Sequence, residues 1–456
     1  MDRIAGRGLV LWVVILALLG GVGYFCCIYG AQAQQWALHS GNPHVYAGGG
    51  QRLVLGRVTD RQGQPLLEMG RGRIYASDAT VRAATLHWLG DRSGNIRGTA
   101  VQHYAPQIAG FDRVQGLYGY GGGGGQACMT LSASVQAAAL EALGDYRGTI
   151  AVMNYQTGEI LCAVTTPTFD PDAVPDLQQE AYGGVYWNRF TQAAYVPGSI
   201  FKIVTTASAL EALPEVQQRS FTCTGKLVLP GGAVTCERAH GRQNLQKAMK
   251  NSCNCYFGDL SVALGAETLT AAVGQMQVLL PVTFDGITTA RGHFSVAGAA
   301  RVELAWAGIG QHTDLVNPCA FLRFVAAVAN DGMAVAPHVM AWVQTDGKQV
   351  YASEKGTGQR ILAADTAHVL QQMLRYNVEK GYGDSNFPDG MTVCAKSGTG
   401  QVDGQQRSYA MFTGFVLEEQ YPLAFIACVE NAGYGKQVCM PMISRVLSAC
   451  KAVLEA

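Results

Sequence analysis

No excess of either charge and no basic run appears in this chain. Lys and Arg total 33, as do Asp and Glu. The electrostatic footprint that a phosphate backbone requires is absent, so charge gives no argument for nucleic acid and none is expected as a partner. Charge of any kind is scarce at 14%, against 48% hydrophobic residues. A chain of that composition buries a large core, which rules out intrinsic disorder. No Cys-x-x-Cys pair occurs among the 13 cysteines. Cys253-x-Cys255 has neither the spacing nor the second half of a typical structural zinc site. Nothing here implies a metal or a cofactor. There is no internal repeat.

Residues Leu9 to Tyr29 carry no charge and are mostly apolar. At about 1.5 Å per residue this stretch reaches roughly 30 Å, enough to cross a bilayer. Arg3 and Arg7 precede it, and no Lys or Arg follows before Arg52. This asymmetry places the N-terminus in the cytoplasm and the rest of the chain outside the membrane. Ala31-Gln32-Ala33 resembles a signal-peptide cleavage site, but the apolar run exceeds the usual length of such a signal. An uncleaved anchor is therefore expected. Cys26 and Cys27 fall within it, leaving an odd number of cysteines outside. Cys223 and Cys236 flank the turn-like Pro230-Gly231-Gly232. A hairpin there would bring them together, as a disulfide or as two small buried residues.

The chain divides into a tail over 1–8, an anchor over 9–29, a small, mostly β pedestal over 30–145, and a larger domain over 146–456. In the pedestal, Leu53 to Val58 reads as a strand ending at the turn Asp60-Arg61-Gln62-Gly63. The Gly- and Tyr-rich run from Tyr118 to Gly125 lacks the strand-then-helix setting of a nucleotide loop and reads as a link. Apolar spacing then predicts a helix over Thr130–Leu143. In the larger domain, strands are expected at Thr149–Met153 and Glu159–Val164. Helices follow at Ser199–Leu213, Leu245–Lys250, Tyr256–Leu264, Ala320–Asn330 and Thr366–Glu379. Strands are then expected at Met391–Lys396, Ser408–Val416 and Pro422–Val429, and a helix at Met440–Leu454. Strands at both ends with helices between predict an α+β domain, an antiparallel sheet flanked by helices.

Three short motifs in order carry the chemistry. Ser199-Ile200-Phe201-Lys202 puts a serine at a helix start and a lysine one turn on, along the same face. The helix N-terminus favours negative charge on the serine oxygen, and a partly buried lysine can accept its proton near neutral pH. Ser252-Cys253-Asn254 follows in a loop between helices; Ser252 could relay protons and Asn254 could bind a substrate amide. Ser40-Gly41-Asn42 and Ser93-Gly94-Asn95 fit the same pattern, so its place in the order gives it meaning. Lys396-Ser397-Gly398-Thr399 comes third, at a strand end. Its lysine and two hydroxyls suit a substrate carboxylate, and Gly398 permits close approach.

The ordered set resembles the penicillin-recognising serine enzymes, whose signature is Ser-x-x-Lys, Ser-x-Asn and Lys-Ser/Thr-Gly. Surrounding residues are similar to those of class B penicillin-binding proteins: Asn188-Arg189, Tyr195 to Gly198, His240-Gly241, Ala248 to Asn251, Gly308 to Gln311, Ala329 to Gly332 and Gly400-Gln401. The likeness covers 146–456 well and 50–145 loosely. It departs at Ser397, where many relatives have Thr, and at Gly400, where Ala or Ser is common.

The resemblance implies a peptidoglycan D,D-transpeptidase. Ser199 would attack the D-Ala-D-Ala carbonyl of a stem peptide, or a β-lactam, with Lys202 as base and Ser252 assisting. Asn254 and Lys396 would complete the catalytic set. Backbone N–H groups of Ser199 and Thr399 would form the oxyanion hole. Ser397, Gly398 and Thr399 would hold the substrate, the two hydroxyls taking its terminal carboxylate. Segment 30–145 is too short for a glycosyltransferase domain. A separate membrane glycosyltransferase of the shape, elongation, division and sporulation family is therefore the expected partner, together with the bacterial membrane. A membrane-anchored serine β-lactamase, a D,D-carboxypeptidase and a non-catalytic penicillin-binding sensor or scaffold are the alternatives. The Glu-x-x-Leu-Asn segment of class A β-lactamases is absent. His240, beside Gly241 in a loop, reads as structural.

Overall fold

The computed structural model describes residues 2–37, 56–69, 73–109, 111–112, 114, 116–118, 125–345, 347–354, 356–402 and 408–456. The Gly- and Tyr-rich positions 119–124, the first residues of the expected strand at 53–55, and Ser40 to Asn42 lie outside them.

Helix α1 (Asp2–Ala37) contains the 28-residue apolar span Gly6–Ala33, exposed along its most apolar stretch. At about 1.5 Å per residue it reaches roughly 40 Å, long enough to cross a bilayer. The pedestal follows with β1 (Gly56–Thr59), β2 (Pro65–Met69), β3 (Arg73–Tyr75) and β4 (Gly125–Met129). The Asp60 side chain closes the turn between β1 and β2. Its carboxylate accepts from Gln62 and Gln64 N–H and, with its other oxygen, from Ala133 N–H at the start of α2 (Ala133–Leu143). One buried acid thus ties the first strand pair to α2.

The larger body begins with β5 (Gly148–Asn154) and β6 (Ile160–Thr166). Helices α3 (Lys202–Ala212), α4 (Leu245–Asn251), α5 (Asn254–Leu264) and α6 (Pro318–Ala329) follow. Next come the hairpin β7 (Met340–Thr345) and β8 (Lys348–Ala352), then α7 (Ala364–Asn377). The chain ends with β9 (Val393–Gly400), β10 (Tyr409–Val416), β11 (Leu423–Val429) and α8 (Gly435–Leu454).

Five strands form one antiparallel sheet in the order β9-β10-β11-β5-β6, as the sequence predicts. Strands β6 and β11 are buried at every position, and β10 at all but its first, Tyr409. Phe412 stacks on Phe425 within the sheet, centroids 6.0 Å apart. Burying each such ring contributes roughly 2–3 kcal/mol. Helices α2 and α8 cover one face and α6 the other. Among the buried residues of α8, Cys439, Ile443, Val446, Leu447 and Cys450 recur at helical spacing, so this second long apolar helix is a core element. It starts at Gly435, five residues before the expected Met440, and carries Pro441 inside its second turn.

The pedestal sheet runs β8-β7-β4-β1-β2-β3, with only β1 and β4 parallel. Two of its strands therefore come from the larger body, and a boundary at 145 is crossed by that hairpin. Trp88 Nε1 donates to Ala163 O at 2.6 Å and Gln136 Oε1 accepts from Ala163 N–H at 2.8 Å, so pedestal and sheet share buried polar contacts.

Candidate active site

Three segments meet at a cleft of about 760 Å³. Pro197-Gly198 turns the chain into a 3-10 turn, Gly198–Phe201, and α3 proper starts only at Lys202. The sequence expectation of an α-helix from Ser199 is corrected here. In a 3-10 turn residues i and i+3 eclipse, which brings Ser199 and Lys202 closer than an α-helical turn would. Gly198 has φ +53°, and a Cβ there would strike the Thr399 carbonyl, so the nucleophile turn packs directly on β9. A Cβ on Gly398 would lie 2.8 Å from Pro197 O. Both positions need glycine because two backbones touch.

Lys202 is fully buried, and its Nζ has four oxygen neighbours. They are Ser199 Oγ at 2.9 Å, Ser252 O at 2.8 Å, Ser252 Oγ at 3.1 Å and Asn254 Oδ1 at 2.7 Å. Asn254 Nδ2 donates to Thr235 O at 2.9 Å, which fixes the amide so that its oxygen faces Lys202. The Ser252 carbonyl and Asn254 Oδ1 can only accept. A neutral amine gives them its two N–H bonds and keeps its lone pair for the Ser199 hydroxyl. Burial pushes Lys202 down to about 7, partly opposed by Cys253, Cys236 and Cys255 nearby. Asn254 thus positions the lysine, and its amide is largely used within the protein rather than left for substrate.

Ser252 caps α4 in a left-handed conformation, φ 51° and ψ 41°. A non-glycine residue there stores about 1–3 kcal/mol of strain, a frequent property of functional positions. Lys396 Nζ donates to Ser252 Oγ at 3.0 Å and to Ser397 O at 2.8 Å. The Ser252 hydroxyl therefore bridges two buried lysines. Burial, and next the proximity of Lys202, drive Lys396 well below its ordinary value.

Strand β9 continues through the third motif to Gly400, beyond the expected end at Lys396. It is an edge strand, so Ser397 and Thr399 face the cleft from a free margin. Two residues not singled out as functional in the sequence hold that margin. Tyr382 Oη accepts from Ser397 N–H at 2.8 Å and donates to Ser397 Oγ at 2.9 Å, leaving the serine proton free for a ligand. Gln311 Nε2 donates to Thr399 O at 2.7 Å, and Gln311 Oε1 accepts from Gln401 N–H at 3.1 Å. Gln311 was visible only as part of the family likeness. Tyr382 ends the π-helical segment Val378–Tyr382 that continues α7, and it carries no sequence signature.

All eight residues expected at the site converge on this cleft. A second Ser-x-x-Lys, Ser448 to Lys451, also fits the pattern. It lies on α8, where the hydroxyl bonds Ser444 O and the amine bonds Asp389 O, away from the cleft. Ser93 to Asn95 form a pedestal loop in which Asn95 bonds Asp91. Cys223 and Cys236 do come together across a hairpin, as free thiols with Sγ atoms 3.8 Å apart.

The penicillin binding protein transpeptidase domain family matches residues 148–448. The chain is 26% identical over 338 residues to the peptidoglycan D,D-transpeptidase PbpA of Mycolicibacterium smegmatis, covering 68% of each. Its fold is similar to the imipenem acyl-enzyme complex of penicillin-binding protein A from M. tuberculosis, with TM-score 0.76, 21% identity, and coverage of 87% of this chain and 98% of that one. A third likeness is to penicillin-binding protein PBP2 in its complex with MreC from Helicobacter pylori, with TM-score 0.62, 20% identity, and coverage of 72% and 64%.

Proposed function

The chain belongs to the penicillin-binding protein transpeptidase family, and we propose that its cleft performs peptidoglycan D,D-transpeptidation through an acyl-enzyme on Ser199. One observation carries the assignment. Ser199 Oγ lies 2.9 Å from a buried lysine whose other polar contacts include two obligate acceptors. Ser199 Oγ bonds to the penultimate D-alanine carbonyl carbon while its proton passes to Lys202. The C–N bond to the last D-alanine then breaks. The leaving amine takes a proton from Lys202 through Ser252, whose hydroxyl is within reach of both lysines. An amine of a neighbouring stem peptide attacks the ester, and the reverse transfer restores Ser199. Backbone N–H groups of Ser199 and Thr399 hold the developing oxyanion, a contribution of several kcal/mol in such sites. Ser397 and Thr399 hold the terminal carboxylate. β-Lactams present the same carboxylate and an acylating carbonyl.

Intact-mass measurement after penicillin treatment should show a single long-lived adduct on the peptide containing Ser199. Ser199→Ala should lose it while remaining folded. An adduct elsewhere refutes the assignment, and rapid penicillin turnover would favour a β-lactamase.

Residues 1–8 form the cytoplasmic tail, 9–29 the anchor, 30–145 the pedestal and 146–456 the transpeptidase unit outside the membrane. Arg3 and Arg7 before the charge-free span support this orientation. Protease added to intact protoplasts should remove most of the chain; full protection would reverse the topology. A membrane glycosyltransferase is the proposed partner in supplying glycan strands. Tagged protein from membranes should bring polymerising activity with it, and its consistent absence would remove this partner.

A further inference from the structure

Beside the second motif, four ligand atoms from three separate segments converge. Cys223 ends a short strand, Phe221–Cys223, and Cys236 directly follows the strand Gly232–Thr235. His240 precedes the strand Gly241–Gln243, and Cys253 is the N-cap of α5. Their ligand atoms all lie within 4.8 Å of one another. Cys223 Sγ is 3.8 Å from Cys236 Sγ and 3.6 Å from His240 Nδ1, and Cys236 Sγ is 3.7 Å from Cys253 Sγ.

We propose that Cys223, Cys236, His240 and Cys253 bind one zinc-class divalent ion that anchors the Ser252-Cys253-Asn254 loop. Three of the six edges have the lengths of a tetrahedron, and the other three lie within 4.8 Å. Zinc–sulfur bonds of about 2.3 Å and zinc–nitrogen bonds of about 2.05 Å require sulfur–sulfur edges of roughly 3.8 Å and sulfur–nitrogen edges of roughly 3.6 Å. The surroundings suit thiolates. Each sulfur accepts a backbone N–H at 3.4 Å: Cys223 from Gly225, Cys236 from Cys255, and Cys253 from Tyr256. Cys255 Sγ lies 3.5 Å from Cys236 Sγ but bonds the Val234 carbonyl at 3.6 Å, which places it outside the ligand set. A Cys-x-x-Cys search misses the group because its members come from a strand end, the segment between two strands and a helix cap.

The consequence reaches the reaction through position alone. Cys253 sits between Ser252 and Asn254, both of which touch Lys202. An ion bonded to Cys253 pins the strained Ser252 backbone and the Asn254 amide in register with the lysine. The inference stands apart from the acyl-transfer reading, because metal content is measured without substrate.

The test uses the full-length protein purified in detergent under reducing, metal-free conditions. Elemental analysis should give one zinc per chain. Chelation should make the cluster thiols newly reactive to a thiol reagent. Cobalt(II) should restore a near-ultraviolet sulfur-to-metal charge-transfer band and the intense visible bands of tetrahedral coordination. Cys253→Ser and Cys223→Ser should each lose the cobalt spectrum, while Cys255→Ser keeps it. His240→Ala, in a partly exposed loop, serves should the cysteine variants misfold; it should bind more weakly with unchanged circular dichroism. Metal removal should slow Ser199 acylation by roughly up to 100-fold, the scale of an ångström-sized misplacement. Reduced protein that takes up neither zinc nor cobalt overturns the proposal. So does a Cys223–Cys236 disulfide mapped in protein exported by its host, or an unchanged cobalt spectrum in Cys253→Ser.

Discussion

Lys396 Nζ donates to Ser252 Oγ at 3.0 Å, joining β9 to the loop between α4 and α5 across 144 residues of chain. The contact makes the second and third motifs a single device. Lys396 is nearly fully buried, and among the described residues no carboxylate is a hydrogen-bond partner of either lysine. A buried amine without a counter-ion is held against its desolvation, so its place in the core is explained by chemistry rather than by stability.

Lys396→Met is the direct test. It keeps the length of the side chain and removes the amine. Acylation by penicillin should fall on the order of 100-fold, because Ser252 loses the partner that orients its hydroxyl. Thermal stability should stay level or rise, since the desolvated amine is gone. A variant that melts earlier and acylates normally would make Lys396 a structural residue.

Tyr382→Phe separates substrate holding from chemistry. The residue is half-buried, and desolvation raises the phenol's pKa, so it stays neutral and available as both donor and acceptor. Without it the Ser397 N–H loses its partner, which costs about 1–3 kcal/mol of stability. The Ser397 hydroxyl also loses its fixed orientation. Penicillin should bind more weakly, roughly tenfold for a loss near 1.4 kcal/mol, while the acylation step at saturation changes little. An equal fall in both would place Tyr382 in the chemical step.

Much of this was legible in the sequence, for reasons that differ between elements. The strands of the central sheet read as strands because both faces are buried and the runs are short and apolar, as in β11. The three motifs could be placed in order because each carries residue types with few other uses. Geometry that depends on contacts between distant segments was not legible. Nothing local predicts that Ser252 adopts a left-handed conformation or that Asn254 turns its amide toward Lys202. Nor does any local signal recruit residues 340–352 into the pedestal sheet. The 3-10 turn at Ser199 was hidden for the same reason, since the Gly198 contact that shapes it belongs to Thr399.

Lys202 gives the enzyme a pH dependence whose sign follows from burial. Its pKa falls from about 10.4 in an unfolded chain to about 7 in the cleft, chiefly through desolvation. The neutral amine is the form that accepts the Ser199 proton, so acylation should rise as pH increases through about 7 and then level off. The stability argument has the same sign. Between about pH 7 and about 10.4 the unfolded chain holds a proton on Lys202 that the folded chain does not, so this group makes unfolding harder as pH rises. Below 7 both states are protonated and its contribution is constant, at the full desolvation penalty. Second-order acylation rates for a fluorescent penicillin, taken on either side of neutrality, test the first statement. Lys202→Ala should be slower by about 10²–10⁴-fold and should lose the inflection near 7. If the inflection survives in Lys202→Ala, another group supplies the base. A rate that falls as pH rises through 7 would mean that the protonated lysine is the working form.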